Sequence, residues 1–209
     1  MGLFGTKARE DSLLEQNERL RRLEIESAEL RARLEETQEL VRHLDEDKAL
    51  LLTALESLRP GMSPRELAEA LLDVCFKPLG LACFYLAMAD WAEDRLTFVL
   101  YHEGGRARNH PSRRLSERAG LSERVLGSGR SLYIRTLEEG QAAGSRLTAA
   151  EQATGLIPHS WYGVPLGIGD RPVGLLSFQS FQTDAFTQER CRIMDALGTI
   201  LSRCLHQSA

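Results

Sequence analysis

The chain has 209 residues, of which 43% are hydrophobic and 27% charged, and this length allows one or two globular domains. Its 26 basic and 30 acidic residues give a net charge of -4, so the basic excess typical of nucleic-acid-binding proteins is absent. No apolar run approaches the roughly 18 residues that span a bilayer, and the four cysteines form no CxxC pair, so we expect a reduced, cytoplasmic protein with neither membrane nor nucleic acid as partner.

Apolar residues recur every 3.5 residues over the first part of the chain, at the a and d positions of a heptad. Such a repeat, held over more than six heptads, requires a left-handed supercoil with a partner helix. We therefore predict a flexible start over residues 1–12, a coiled coil over 13–59 and one domain over 60–209. The apolar residues of this coil seam are Leu13, Leu20, Leu23, Leu30, Leu34, Val41, Leu44, Leu51, Leu55 and Leu58.

The charges beside the seam favour a parallel homodimer. In a parallel pair, each g position faces the e position of the partner helix. This arrangement pairs Arg19 with Glu24 and Glu26 with Arg31, and both pairs are attractive. Exposed pairs of this kind contribute only about 0.2–1 kcal/mol each, so they influence orientation more than affinity. A different protein as coil partner is the alternative.

A new helix is predicted after Pro60 and Gly61 end the coil. Ser63 can cap it, Pro64 suits its first position, and Glu66 can complete a capping box. Short apolar runs at 81–88 and 96–102 then indicate strands. An irregular segment rich in Gly and Arg follows over residues 103–118, and then a short helix over 120–126 that Gly127 ends. Another strand is predicted over 132–137, and a polar segment of loops and short helix over 138–156.

Residues 160–180 carry the strongest hairpin signal in the chain. Two apolar runs flank Gly169 and Asp170, a pair that forms tight turns readily. Thr187 then caps a final helix with an apolar stripe at Met194, Leu197 and Leu201. A tight hairpin pairs its strands antiparallel, so the domain is predicted to be α+β with an antiparallel sheet.

Residues 60–206 resemble a GAF domain. The resemblance implies an antiparallel sheet of five or six strands, covered on one face by the first and last helices, with a ligand cavity on the other face. In this family those helices often continue a coiled coil and form the dimer contact. The segments that carry the resemblance are Ser63-Pro64-Arg65-Glu66-Leu67, Ala119-Gly120-Leu121, Gly129-Arg130-Ser131-Leu132, Gly163-Val164-Pro165-Leu166, Arg171-Pro172-Val173-Gly174 and Phe186-Thr187.

Strand alternation assigns the two faces of the predicted hairpin. Tyr162, Val164, Leu166, Leu176 and Phe178 should meet the helices. The candidate ligand pocket on the opposite face consists of Trp161, Ser177, Gln179 and, from the first strand, Tyr85. The alternative is that these four side chains fill a small closed core.

No catalytic residue, metal site or cofactor is predicted. Some stand-alone GAF proteins reduce free methionine sulfoxide, with carboxylates at the positions resembling Trp161, Ser177 and Gln179 and with cysteines in the cavity loops. This chain lacks those carboxylates, and we expect its cysteines to be buried small side chains. The cysteine–histidine pair of bilin-binding GAF domains is also missing. A haem or iron site would need His102, His110 or His159 to converge.

The most basic segment is a candidate docking site for an anion or an acidic partner. Its alternative is a solvated loop neutralised by acidic neighbours. The arginines concerned are Arg106, Arg108, Arg113, Arg114 and Arg118.

No kinase, cyclase or helix-turn-helix segment is found after the GAF-like part. We therefore expect a non-enzymatic, dimeric adaptor or scaffold in a bacterial-type signalling system. Its coil would mediate self-association, and its GAF-like domain would recruit a protein partner of unknown identity. The alternative is a small-molecule sensor that transmits ligand binding through the coil.

Overall fold

The computed structural model describes residues 3–117, 119–169 and 171–207, with the side chains of residues 3–15, 149 and 150 left out. The chain forms two compact units, one ending at Lys48 and the other beginning at Ala49. Within the described ranges, no helix is both long and apolar enough to cross a membrane.

Helix α1 (Leu3–Ser57) provides all of the described structure of the first unit. Its backbone includes residues 3–12, where we predicted a flexible start; Lys7, Ala8 and Arg9 there are good helix formers. Leu13 lies in the helix, but its side chain is outside the described part. The seam side chains Leu20, Leu23, Leu30, Leu34, Val41 and Leu44 are between 51% and 58% exposed.

The last turns of α1 belong to the second unit. Leu50, Ala54 and Leu58 are buried in its core, Leu51 packs at the edge of that core, and Leu55 is exposed. Leu50 and Ala54 are four positions apart in α1 and share one helix face. Leu58 directly follows the helix and continues this spacing through a hydrogen bond from its N–H to the Ala54 carbonyl. This placement removes Leu58 from the predicted seam, because its side chain is covered by its own chain. The second unit therefore begins about ten residues before the predicted boundary at residue 60.

One antiparallel sheet of seven strands organises the second unit, in the order β3-β2-β1-β7-β6-β5, with β4 also paired to β2. Five or six strands were predicted, and the additional ones are two residues long. The strands are β1 (Cys83–Asp90), β2 (Arg95–Glu103), β3 (Arg106–Ala107), β4 (Arg113–Arg114), β5 (Leu132–Ile134), β6 (Ser160–Leu166) and β7 (Gly174–Ser180). The helices are α2 (Pro64–Cys75), α3 (Leu121–Ser128), α4 (Leu137–Ala142), α5 (Ala149–Thr154) and α6 (Gln188–Gln207).

The predicted hairpin is the β6–β7 pair. Its register aligns Trp161 with Gln179 and Leu166 with Gly174. Gly169 adopts φ +117 in the turn, a conformation that favours glycine, whereas Asp170 lies outside the described residues. Strand β7 also pairs with β1, which places Tyr85 opposite Ser177.

Local capping signals position the helices around this sheet. Ser63 and Glu66 form the predicted capping box of α2. Helix α3 ends at Gly129, with φ +61, and not at Gly127 as predicted, because only Gly129 takes the left-handed conformation. Thr136 caps α4, and Thr148 forms a capping box with Glu151 at α5, so the polar 138–156 segment contains two short helices.

The sheet separates two apolar clusters. On one face, α2, α6 and the end of α1 cover Tyr162, Val164, Leu166, Leu176 and Phe178, the set predicted to face the helices. On the other face, α3 and the following loops cover a second cluster. That cluster includes Cys83, Tyr85, Trp161 and Leu175.

Candidate ligand cavity

A cavity of about 320 Å³ opens on the sheet face that α2 and α6 do not cover. Tyr85 of β1, Trp161 of β6 and Gln179 of β7 line it, together with residues of α3 and of the segment before and within α5. These three residues are members of the predicted pocket, and the structure brings them to one wall. Their role in ligand binding stays a prediction.

Ser177, the fourth predicted pocket residue, lies beneath that wall. It is fully buried, and its Oγ accepts a hydrogen bond of 3.2 Å from Gln179 Nε2. The hydroxyls of Tyr85 and Ser122 share a hydrogen bond of 3.0 Å. These bonds hold the polar groups of the wall in fixed positions, which is the kind of preorganisation that ligand sites need.

An aromatic wall that the sequence did not predict completes this side of the cavity. Tyr85 stacks on Tyr101 with ring centroids 5.6 Å apart and planes 7° apart, and Phe98 meets both rings edge-on. His110 lies over the same group, 4.0 Å from the Phe98 centroid.

A β-bulge in β2 explains how both Phe98 and Tyr101 reach this wall. The β1–β2 register shifts between Leu86 and Ala87, which face Leu100 and Phe98, so Val99 is the additional residue of β2. A bulge reverses the alternation beyond it. Phe98 and Tyr101 consequently point to the same face, although they are three residues apart.

Arg113 is directed into the cavity rather than into solvent. It forms an ion pair with Glu123, and the two side chains are only 16% and 10% exposed. Its guanidinium carbon lies 5.7 Å from the Phe98 ring centroid. Since Glu123 neutralises Arg113, this arginine is not a free cation for an incoming anion.

The arginines of the predicted docking site lie at both ends of β2. In the strand register, Arg106 of β3 lies opposite Glu103 at one end of β2, and Arg114 of β4 lies opposite Arg95 at the other end. Eight residues of strand separate these positions by about 25 Å. Arg108 is exposed, and Arg118 lies outside the described residues. The described arginines are therefore spread along β2, and their role in docking stays a prediction.

Glu151 is the most buried carboxylate of the cavity lining, with 7% of the residue exposed. Its Oε2 accepts the Thr148 backbone N–H at 2.5 Å as part of the α5 capping box. Burial raises the pKa of the Glu103 carboxyl, and the nearby charge of Glu151 raises it further. Glu117 and Arg146 also line the cavity, and both are exposed.

The cysteines lie away from the cavity lining. Cys75 of α2 and Cys204 of α6 belong to the helix-side core, and Cys83 of β1 lies under the cavity wall. Burial raises the pKa of these three thiols. Burial and then the Asp195 charge raise the pKa of Cys191 to about 11. A nucleophilic thiolate needs the opposite environment.

The histidines do not converge. His102 packs edge-on against Phe76 on the helix side, with ring centroids 4.7 Å apart, while His110 lines the cavity on the opposite face. His159 borders a smaller cavity of about 50 Å³. Among the described residues, no group of three or more His, Cys, Asp or Glu side chains could hold a metal ion.

The model of the GAF domain family matches residues 61–206, which is more than half of the chain. The chain belongs to the GAF domain family. This family comprises signalling and ligand-binding domains. No curated protein matches the sequence of this GAF domain.

Solved GAF structures share the fold at low sequence identity. The GAF domain of a phosphoenolpyruvate-protein phosphotransferase from Coxiella burnetii is 12% identical, with a TM-score of 0.63 over 78% of this chain and 94% of that one. The corresponding Acinetobacter domain is 16% identical, with a TM-score of 0.60 over 78% and 94%. A free methionine-R-sulfoxide reductase from Neisseria meningitidis, solved with its substrate, is 18% identical, with a TM-score of 0.52 over 68% and 77%.

Proposed function

We propose that this GAF domain is a small-molecule sensor whose ligand occupies the cavity bounded by Tyr85, Trp161 and Gln179. The cavity itself is the observation that carries the proposal. Its volume of about 320 Å³ lies at the lower end of the roughly 300–1,000 Å³ typical of ligand pockets. Its lining combines aromatic rings with a few oriented polar groups, which is also typical of such pockets.

Strand β6 provides a route from the cavity to α6. Trp161 lines the cavity, and its neighbour Tyr162 points to the opposite face, where its hydroxyl donates a 3.0 Å hydrogen bond to Asp195 of α6. Ser131, just before β5, donates to the same Asp195 oxygen at 2.6 Å. A ligand that moves β6 would therefore change the packing of α6, whose side chains share a core with the end of α1.

Native mass spectrometry of the full chain tests this proposal, together with thermal melting in a panel of metabolites. We expect a bound small molecule, or a metabolite that raises the melting temperature. Ser145→Trp should abolish either effect, because Ser145 lines the cavity and a tryptophan there would fill it. Ligand effects that persist unchanged in this variant would contradict binding in the cavity.

The proposed activity is binding and not catalysis. The support is the placement of the thiols: the described cysteines are outside the cavity lining, and burial raises the pKa of each of them. An assay for reduction of free methionine sulfoxide, with dithiothreitol as reductant, should show no turnover above that of the unfolded chain. Turnover by the folded protein would overturn this part of the proposal.

A second candidate function is that of a homodimeric adaptor. The observation that favours it is the exposed leucine seam of α1, because a solvated helix gains nothing from leucines at heptad spacing unless another helix covers them. The two functions are compatible, since a sensor also needs an element that passes on its state. The oligomeric state of the full chain in solution tests the self-association on which this function depends.

A further inference from the structure

We propose that the ligand of the cavity carries a protonated amine, held by the Glu151 carboxylate and by the aromatic wall. The inference rests on the proposed ligand-binding function and adds to it the charge class of the ligand. Its three supports are a carboxylate oxygen of the cavity lining that has no donor among the described residues, a wall of aromatic faces and the balance of charges around the cavity.

Glu151 carries a negative charge that the protein satisfies only in part. More than nine tenths of the residue is buried, and the Thr148 N–H occupies Oε2. No described residue donates a hydrogen bond to Oε1, and no described cation forms an ion pair with this carboxylate. Oε1 is not among the fully buried atoms that lack a hydrogen-bond partner, so water or a ligand can reach it. Since Glu151 lines the cavity, a ligand ammonium there would supply the missing donors.

The aromatic wall of the cavity also favours a ligand ammonium group. Tyr85, Phe98, Tyr101 and Trp161 line the cavity together, and a cation within about 6 Å of an aromatic face is attracted by it. The Arg113 guanidinium already lies at 5.7 Å from the Phe98 centroid, so this wall accepts a cation in the folded protein.

The remaining charges around the cavity do not favour an anion. Three carboxylates, those of Glu117, Glu123 and Glu151, stand against the two guanidinium groups of Arg113 and Arg146. Glu123 forms an ion pair with Arg113 and balances its charge, although Arg113 Nε and Glu123 Oε2 are each buried without a hydrogen-bond partner. Arg146 is exposed to water, which screens its charge. The buried part of the cavity therefore presents a net negative charge to its ligand.

Three small probes of similar shape and different charge test the inference: phenethylamine, the neutral 2-phenylethanol and the anionic 3-phenylpropionate. The chain has two tryptophans, and Trp91 is outside the cavity lining, so full-length Trp91→Phe leaves Trp161 as the only tryptophan reporter. Titration of this protein should give a saturable change in Trp161 emission with phenethylamine at concentrations that leave the two other probes without effect.

A matched pair of variants, made in the same reporter protein, assigns the charge. Glu151→Gln keeps an oxygen for the capping box, because glutamine also serves at that position, and it should weaken phenethylamine binding about tenfold. Glu117→Gln removes the same charge from an exposed position of the lining and should change binding less than about twofold.

The outcomes separate this inference from the proposed function. Preferred binding of 3-phenylpropionate, or equal binding of the amine and the alcohol, would overturn the amine inference and leave ligand binding standing. Equal effects of Glu151→Gln and Glu117→Gln would overturn the assignment to Glu151. Absence of any Trp161 response to all three probes would overturn the amine inference, and the metabolite panel tests the proposed function independently of these probes.

Discussion

Gly198 of α6 lies so close to Val164 of β6 that a Cβ at position 198 would come within 2.4 Å of Val164 Cγ1. Both residues are buried, so this approach sets the distance between α6 and the sheet. Gly198→Ala should therefore destabilise the domain by about 1–3 kcal/mol through overpacking, in spite of the roughly 1 kcal/mol that alanine gains in helix propensity. Urea unfolding measures this difference.

Gly127 of α3 provides the matched control for that substitution. No heavy atom lies within 4 Å of the Cβ that alanine would add there. Gly127→Ala should leave stability unchanged or raise it by up to about 1 kcal/mol. If both alanine variants had the same stability, the close packing of α6 on β6 would not limit the size of the side chain at position 198.

The end of α1 is expected to contribute to the stability of the GAF domain. Leu58→Ala should cost about 2–4 kcal/mol, because Leu58 is only 4% exposed and lies in the helix-side core. Leu52→Ala, at a position of α1 that is 49% exposed, should cost less than about 0.5 kcal/mol. Equal losses in urea unfolding would show that the helix end is not part of the domain core.

Charges placed in the coil seam should prevent self-association. Leu23→Glu combined with Leu30→Glu puts two carboxylates into the interface of a parallel dimer, where they would face their own copies. We expect light scattering to report a dimer for the unmodified chain and a monomer for this variant. Ile25→Glu is the control, because Ile25 is 62% exposed at an f position facing away from the seam, and its variant should remain dimeric.

Cys191 should react slowly with iodoacetamide at neutral pH. Its pKa is raised to about 11 by burial and then by the Asp195 charge, so little thiolate is present near pH 8. The alkylation rate, followed by mass spectrometry, should rise about tenfold per pH unit up to that pKa. Because the folded pKa exceeds the unfolded value, this thiol stabilises the fold below the unfolded pKa, and that contribution is lost as pH rises towards the folded one.

Asp195→Asn tests whether the Asp195 charge helps to raise the pKa of Cys191. Asparagine keeps an oxygen for the Tyr162 and Ser131 hydroxyls but removes the charge that disfavours the Cys191 thiolate. Alkylation of Cys191 should be faster in this variant at the same pH. Rapid alkylation of the unmodified protein at pH 7, at the rate of the urea-unfolded chain, would contradict the burial of this thiol.

Features that depend on neighbouring residues could be predicted from the sequence. The capping box of Ser63 and Glu66 involves residues three positions apart. Strand alternation placed Trp161 and Gln179 on the face opposite Tyr162, as the structure has them. Such local signals predict where a helix begins and which face of a strand a side chain occupies, and neither prediction needs the tertiary contacts.

Features that depend on tertiary contacts could not be predicted. The bulge at Val99 redirects Tyr101 towards the cavity, and strand alternation carries no sign of it. Arg113 forms an ion pair with Glu123, ten residues later, and the basic run in the sequence carries no sign that this arginine lines the cavity. Leu58 continues the heptad spacing, yet it packs in the core of the GAF domain. The heptad pattern carries no information about the residues of the domain that cover it.

Trp161 emission in the Trp91→Phe protein, titrated with a deproteinised low-molecular-mass cell extract, tests the ligand-sensing proposal most directly. Trp161 lines the cavity, so its emission reports on a ligand there. The blocking variant for this measurement is Ser145→Phe, because Ser145→Trp would add a second fluorescent tryptophan. We expect a saturable change in emission for the open protein and none for the blocked one. An extract that alters neither protein, or both equally, would contradict a cavity that binds a small molecule.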